Sequence, residues 1–105
     1  MTKQILYFSV LGLVSFTAHA FETTSIGKII FTQGHTSPAC RTVKFKENDS
    51  GLVNLFRIAD VPTDDDVSAV ALSALMGNRD VTISYNATET TGCGSEPRIL
   101  FITIY

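Results

Sequence analysis

Two cysteines, two histidines and three consecutive aspartates are the side chains in this sequence best suited to covalent, metal or acid–base chemistry. His19 falls in a leader segment described below, which leaves His35, in Gln33-Gly34-His35-Thr36, as the one imidazole. One imidazole cannot build a multi-histidine metal site, and the sequence contains no HExxH, paired CxxC or nucleophile elbow. Nothing in the spacing makes a dyad of His35 and a neighbouring serine or threonine. Asp64, Asp65 and Asp66 lack the alternating oxygen ligands and closing glutamate of a calcium loop. As a glycosidase pair they would need a cleft between them, which so short a chain struggles to enclose. The sequence therefore predicts a non-enzymatic protein with no metal and no cofactor, and the aspartates are read as the start of a helix.

Cys40 and Cys93 carry a different chemistry, and their reading depends on where the chain goes. Residues 1–20 have Lys3 ahead of an apolar run from Ile5 to Phe16, followed by the small-x-small sequence Ala18-His19-Ala20. Those three parts in that order predict a secretory signal peptide cleaved after Ala20. The apolar run is shorter than the roughly 20 residues a membrane-spanning helix needs, and no second run of that length follows. The expected product is a single domain, 21–105, secreted or periplasmic and without a membrane span. In an oxidising compartment two cysteines allow one intramolecular pairing, and so small a domain benefits from a staple. A Cys40–Cys93 disulfide is predicted; a catalytic thiol would leave the other cysteine unpaired.

Composition narrows the partner classes. Of 105 residues 45% are hydrophobic and 17% charged, which is globular rather than disordered. The net charge of −2 offers no basic surface to neutralise phosphates, so a nucleic-acid binder is not expected. Two sequons, Asn48-Asp49-Ser50 and Asn86-Ala87-Thr88, are short patterns that recur by chance and carry no weight.

The elements that must position these residues are legible from periodicity. Strands are predicted over 26–32, with Ile29 and Phe31 on one face, and over 41–47, with Val43 and Phe45 inward and Lys44 and Lys46 outward. The segment 33–39 reads as a loop. The turn cluster at 48–51 makes a hairpin of the second strand and 52–58. A helix is predicted over 64–76, with Thr63 as N-cap, Asp66 completing an approximate capping box, and a stop at Gly77-Asn78. Strands follow at 81–85 and 98–105, joined by a polar loop over 86–97. The final strand is apolar on both faces and is expected to be covered on both. The order β-β-β-α-β-β fits a mainly β fold with one helix: a small barrel or curled antiparallel sheet of the oligonucleotide/oligosaccharide-binding (OB) type, stapled by one disulfide.

On a helical wheel Val67, Val70, Ala71, Ala74 and Leu75 share the core face. The opposite face carries Ser68, Leu72, Ser73 and Met76, and no charge follows Asp66. An outer face that is small and apolar is expected to meet another surface. Coverage by loops of the same chain is the bland alternative, and a homo-oligomer interface at these four residues the favoured one.

Two stretches carry a resemblance. Ile29-Ile30-Phe31-Thr32-Gln33-Gly34-His35-Thr36 is similar to the early strand of the receptor-binding B subunits of subtilase-cytotoxin-like and pertussis-like toxins. The helix followed by Gly77-Asn78-Arg79-Asp80-Val81-Thr82-Ile83-Ser84-Tyr85, leading to Gly92-Cys93-Gly94, resembles the helix-then-strand passage of those subunits. The likeness covers most of 21–105 in element order and these two motifs in residues. It implies a secreted OB-like subunit in a homo-oligomeric ring, a pentamer, with helices lining the centre, glycan sites outside and an enzymatic A subunit as partner. Ser25, Gln33, His35, Thr36 and Tyr85 are the ligand-binding candidates, taken from loop position and this resemblance. The family's sialic-acid-contacting serine aligns with Gly27, two residues after Ser25, and tryptophan is absent. The competing expectation is a small periplasmic protein-interaction or inhibitor domain.

Overall fold

The structure is a computed structural model that describes residues 21–105; the expected signal peptide lies outside the described residues. Six strands and one α-helix follow in the order β1 (Glu22–Thr23), β2 (Gly27–Thr36), β3 (Ala39–Glu47), β4 (Val53–Ile58), α1 (Asp65–Met76), β5 (Asp80–Thr90) and β6 (Pro97–Ile104). Hydrogen-bonded neighbours run β1-β5-β2-β3-β4-β6, and β6 pairs again with β5. Strands β2 to β6 thus close into a five-stranded barrel with the helix inserted after its third strand, the OB-like arrangement expected. Closure rests on small seams: β2 meets β5 only at Gly27–Val81 and Lys28–Asp80, and β4 meets β6 in parallel at Arg57–Arg98.

Alternation decides what lies inside. Val43 and Phe45 of β3 are fully buried and join Ile29, Phe56, Ile58, Val81, Ile83 and Ile99 in one core. Ala71 and Ala74 close the core from the helix, with Val67 and Leu75 packed at its margin. Small residues at 71 and 74 let the helix backbone approach the sheets closely. The Cys40–Cys93 disulfide is formed, with Cα atoms 5.9 Å apart, and ties the start of β3 to the β5–β6 loop.

Several expectations need correction. The segment 33–39 is not a loop: β2 and β3 pair in unbroken register from Thr32–Val43 to Thr36–Ala39, leaving only Ser37 and Pro38 as the turn. The backbone ladder outlasts the apolar pattern because the hairpin projects beyond the core, so its outer residues need no burial. In the same way β5 continues to Thr90, past a polar stretch read as loop. Ile29 and Phe31 do not share a face. A bulge at Ile30 turns Phe31 outward, paired with Lys44, while Ile29 stays inside against Phe45. The last strand is not covered on both sides. A bulge at Leu100 puts Leu100 and Phe101 outside, where Phe101 meets the edge of Phe21 at 5.5 Å.

The helix start also differs. Thr63 is not the cap, because a 3-10 turn, Pro62–Asp64, precedes α1 and places Asp64 at the cap position without a side-chain capping bond. Pro62 presets the backbone of that first turn, and the Asp64 carboxylate is engaged by Arg98 instead. The stop is as expected, with Asn78 in the left-handed region at φ 51° and the Arg79 N–H donating to Ala74 O.

Candidate functional site

The outer face of α1 is built by what grips the inner one. Arg41, at the start of β3, donates from Nη1 to Ser68 Oγ at 2.8 Å and from Nη2 to Asp65 at 2.8 Å and Asp60 at 3.0 Å. Burial disfavours the Arg41 charge, but the Asp65 and Asp60 carboxylates outweigh it and raise its pKa. This clamp fixes the helix's rotation at its first turn, and Ser68 spends its hydroxyl within its own chain. Ser73 likewise turns its hydroxyl back to Ala69 O. Leu72 and Met76 are left outward, 50% and 79% exposed, and no loop among the described residues covers them.

The expected ligand residues do not converge. Ser25 precedes β2, whereas Gln33, His35 and Thr36 occupy its far end. An extended strand of that length separates Ser25 from His35 by on the order of 30 Å. Ser25 is exposed, and its carbonyl accepts from Thr24 Oγ1. Tyr85 is not a free stacking surface, since its ring packs against Phe56 at a centroid distance of 4.9 Å on the barrel's inner side. Burial there, reinforced by Glu22 and Glu47, pushes the Tyr85 phenol above its ordinary pKa. Gln33, His35 and Thr36 do stay together, exposed on the projecting β2–β3 hairpin.

Gly27, which the resemblance aligns with a ligand-contacting serine, has a structural task. A Cβ there would lie 2.2 Å from the Lys46 carbonyl oxygen and 2.6 Å from the Phe45 ring. Only glycine lets β2 pass close enough to bond β3 on one side and β5 on the other.

Sequence reasoning missed the polar residues that the sheet lines up beside the hairpin. Register places Gln33 opposite Thr42, Thr42 opposite Arg57, Arg57 beside Arg98 and Arg98 opposite Asn86, a polar rung crossing all five barrel strands. Arg57 donates from Nη1 to Thr42 Oγ1 and from Nε to Glu96 Oε1 at 3.1 Å. The Glu96 carboxyl is held below its usual range by its own backbone N–H and by Arg57. Arg98 pairs with Asp64 at 3.1 Å and Glu89 at 3.0 Å, and these contacts, Asp64's first, raise its pKa. The next rung on the same outer face, two positions further from the hairpin turn, is Phe31–Lys44–Leu55, with the Lys44 ammonium 5.6 Å from the Phe31 ring centre. Alternation alone could have placed Thr42 and Arg57 on the outer face; nothing in the sequence pairs Arg57 with Glu96.

No protein-family model, curated protein or solved structure matches the chain. No helix among the described residues is long and apolar enough to cross a membrane. The arrangement defines an OB-like barrel with an unpartnered apolar helix face and, around the β2–β3 hairpin, a surface of fixed hydrogen-bonding groups.

Proposed function

We propose that the protein is a secreted, non-enzymatic binding subunit that assembles into a ring of its own copies and presents glycan-binding surfaces on the outside, in the manner of a toxin B subunit. The observation that carries this reading is the outward pairing of Leu72 and Met76 on a helix whose rotation Arg41 fixes. Burying a large aliphatic side chain or methionine stabilises by about 1.5–3 kcal/mol, so leaving two such residues in water on one helix face is costly unless a partner covers them. A helix that meets the neighbouring copy away from a two-fold axis makes a heterologous contact, and heterologous contacts form a ring where the rotation between copies closes. The disulfide fits export to an oxidising compartment, where a staple of this kind persists. Such a ring has a central face for an enzymatic A subunit and leaves the β2–β3 hairpins free for ligand.

Light scattering after size exclusion tests the assembly. A mass near five copies is expected for the secreted chain, falling to one copy in Leu72→Glu and Met76→Glu with the β-rich circular dichroism retained. A monomeric wild type would overturn the ring and favour a protein-interaction or inhibitor domain, which a stoichiometric protein partner in a periplasmic pull-down would identify.

A further inference from the structure

The three arginines that tie the barrel's polar ends differ in one respect. Arg41 and Arg98 place every guanidinium nitrogen on a carboxylate or hydroxyl of the chain. Arg57 uses Nε and Nη1 but has no partner at Nη2 among the described residues. Its neighbour Glu96 accepts from Arg57 at Oε1, and among the described residues no other side chain donates to its carboxylate. Gly94, with φ +90°, runs past this pair; a Cβ there would sit 3.6 Å from Nη2 and 2.7 Å from Glu96 Oε1. The glycine therefore keeps open an edge that a side chain would crowd. Thr42 and Glu96 together fix the guanidinium plane, so the free Nη2 donors are aimed in advance, which lowers the ordering cost of binding.

We infer that the Arg57–Glu96 pair, positioned by the buried Thr42 and joined by the exposed Gln33 on the same rung, is a hydroxyl-recognition site for a pyranose ring. This rests on the glycan-binding reading above and names its site. A sugar's vicinal hydroxyls each donate one bond and can accept others, and a locked guanidinium–carboxylate pair supplies a matching donor and acceptor side by side. Gln33 adds an exposed amide with both capacities, one paired position from Thr42, about 5 Å away. On the next outward-facing rung the exposed Leu55 offers apolar surface for the ring's C–H face, while Lys44 lies over Phe31. Glu96 remains an ionised acceptor at neutral pH, since its own backbone N–H and Arg57 hold its pKa low. The disulfide contributes by anchoring the loop that carries Gly94 and Glu96 to the start of β3.

The test is amide and side-chain NMR on the whole secreted chain with free glucose, galactose, mannose and N-acetylglucosamine. At roughly 10 mM each, binding with a millimolar Kd is detected. At least one pyranose is expected to shift the Arg57 Nε–H and Gln33 side-chain amide signals. Arg57→Lys, which keeps the charge but loses the planar fork, should weaken that binding about tenfold or more. Gln33→Ala, at an exposed position, should weaken it severalfold with the folded spectrum unchanged, which covers the case of a poorly folded Arg57 variant. Shifts confined to His35 and Thr36 or to Ser25, or Gln33→Ala and Arg57→Lys variants that bind as wild type, would overturn the site. So would no shift with any of the four sugars; continued binding of that protein to a printed glycan array would then preserve the broader reading while this site falls.

Discussion

Replacing Gly27 by alanine tests the closure of the barrel at its tightest point. The added methyl would lie 2.2 Å from Lys46 O and 2.6 and 2.8 Å from two atoms of the Phe45 ring, where ordinary contacts begin near 3.4 Å. Phe45 is fully buried and Lys46 O is backbone, so neither yields cheaply. Relief requires about 1 Å of movement between β2 and β3, at a residue that also bonds β5 through Val81. Overpacking of this kind costs about 1–3 kcal/mol, and a ladder bond lost in the shift adds about 1. Against this, alanine restricts the unfolded chain and recovers about 0.4–1 kcal/mol. The net expectation is a loss of about 2–3 kcal/mol, or roughly 10–20 °C in Tm for a domain of this size. Urea unfolding followed by circular dichroism, with the disulfide intact and protein concentration fixed, measures it. The internal control is Gly34→Ala on the same strand, where a Cβ meets nothing within 4 Å, so neutrality or a small gain is expected. A Gly27→Ala variant within about 0.5 kcal/mol of wild type, or a Gly34→Ala variant equally damaged, would refute the argument.

Two further outcomes follow from other parts of the fold. The disulfide spans 53 positions, so Cys40→Ser with Cys93→Ser should lose about 4 kcal/mol by unfolded-chain entropy, read from urea midpoints; a loss under about 1 would mean that the open form is already restricted. The Tyr85 phenol titrates above its ordinary value because burial disfavours its anion. Its contribution to stability is therefore whole below the unfolded pKa of about 10 and is lost as pH rises through the folded one. Tyr85→Phe should flatten that alkaline loss in urea midpoints measured from pH 8 upward, and an unchanged slope would assign the loss to another group.

What the sequence made legible is what strong periodicity encodes. Val43 and Phe45 alternate with Lys44 and Lys46 in a strand buried on one face, and that register survives intact in β3. The helix stripe holds at Val67, Ala71, Ala74 and Leu75, while Val70, expected beside them, does not join the core. Periodicity fails where one residue is inserted into a ladder. The bulges at Ile30 and Leu100 reverse the facing of everything beyond them, and a single sequence carries no mark of either. It fails again where pairing continues without burial, as in the hairpin from Gln33 to Thr36, because backbone bonds alone hold a projecting ribbon and any side chain suits it. The candidate site was partly legible for the same reason. Of the proposed site only Gln33 stood among the residues the sequence singled out; Arg57 and Glu96 meet through contacts 39 residues apart, which alternation does not report.

The same long-range contacts explain why the two proposed surfaces of this small barrel stay separate. Arg41, Arg57 and Arg98 all lie toward the end of the barrel where β3 begins and β4 and β6 meet; Arg57 and Arg98 each bond a strand residue, Thr42 and Glu89, besides a neighbouring segment, whereas Arg41 gives its bonds to the helix and to Asp60. Arg41 holds the helix, Arg98 holds the 3-10 turn through Asp64, and Arg57 holds the β5–β6 loop through Glu96. Exchanging any one carboxylate would release one neighbour without disturbing the apolar core, since no member of that core belongs to these pairs. Helix rotation, and with it the outward facing of Leu72 and Met76, is set by Arg41 at Asp65 and Ser68, a clamp that shares no residue with the Arg57–Glu96 pair. A substitution that abolishes assembly at Leu72 should leave the Arg57–Glu96 geometry as it is, and one that breaks the Arg57–Glu96 pair should leave the mass of the assembly unchanged. That separability lets the two readings be tested one at a time in a domain with little interior to spare.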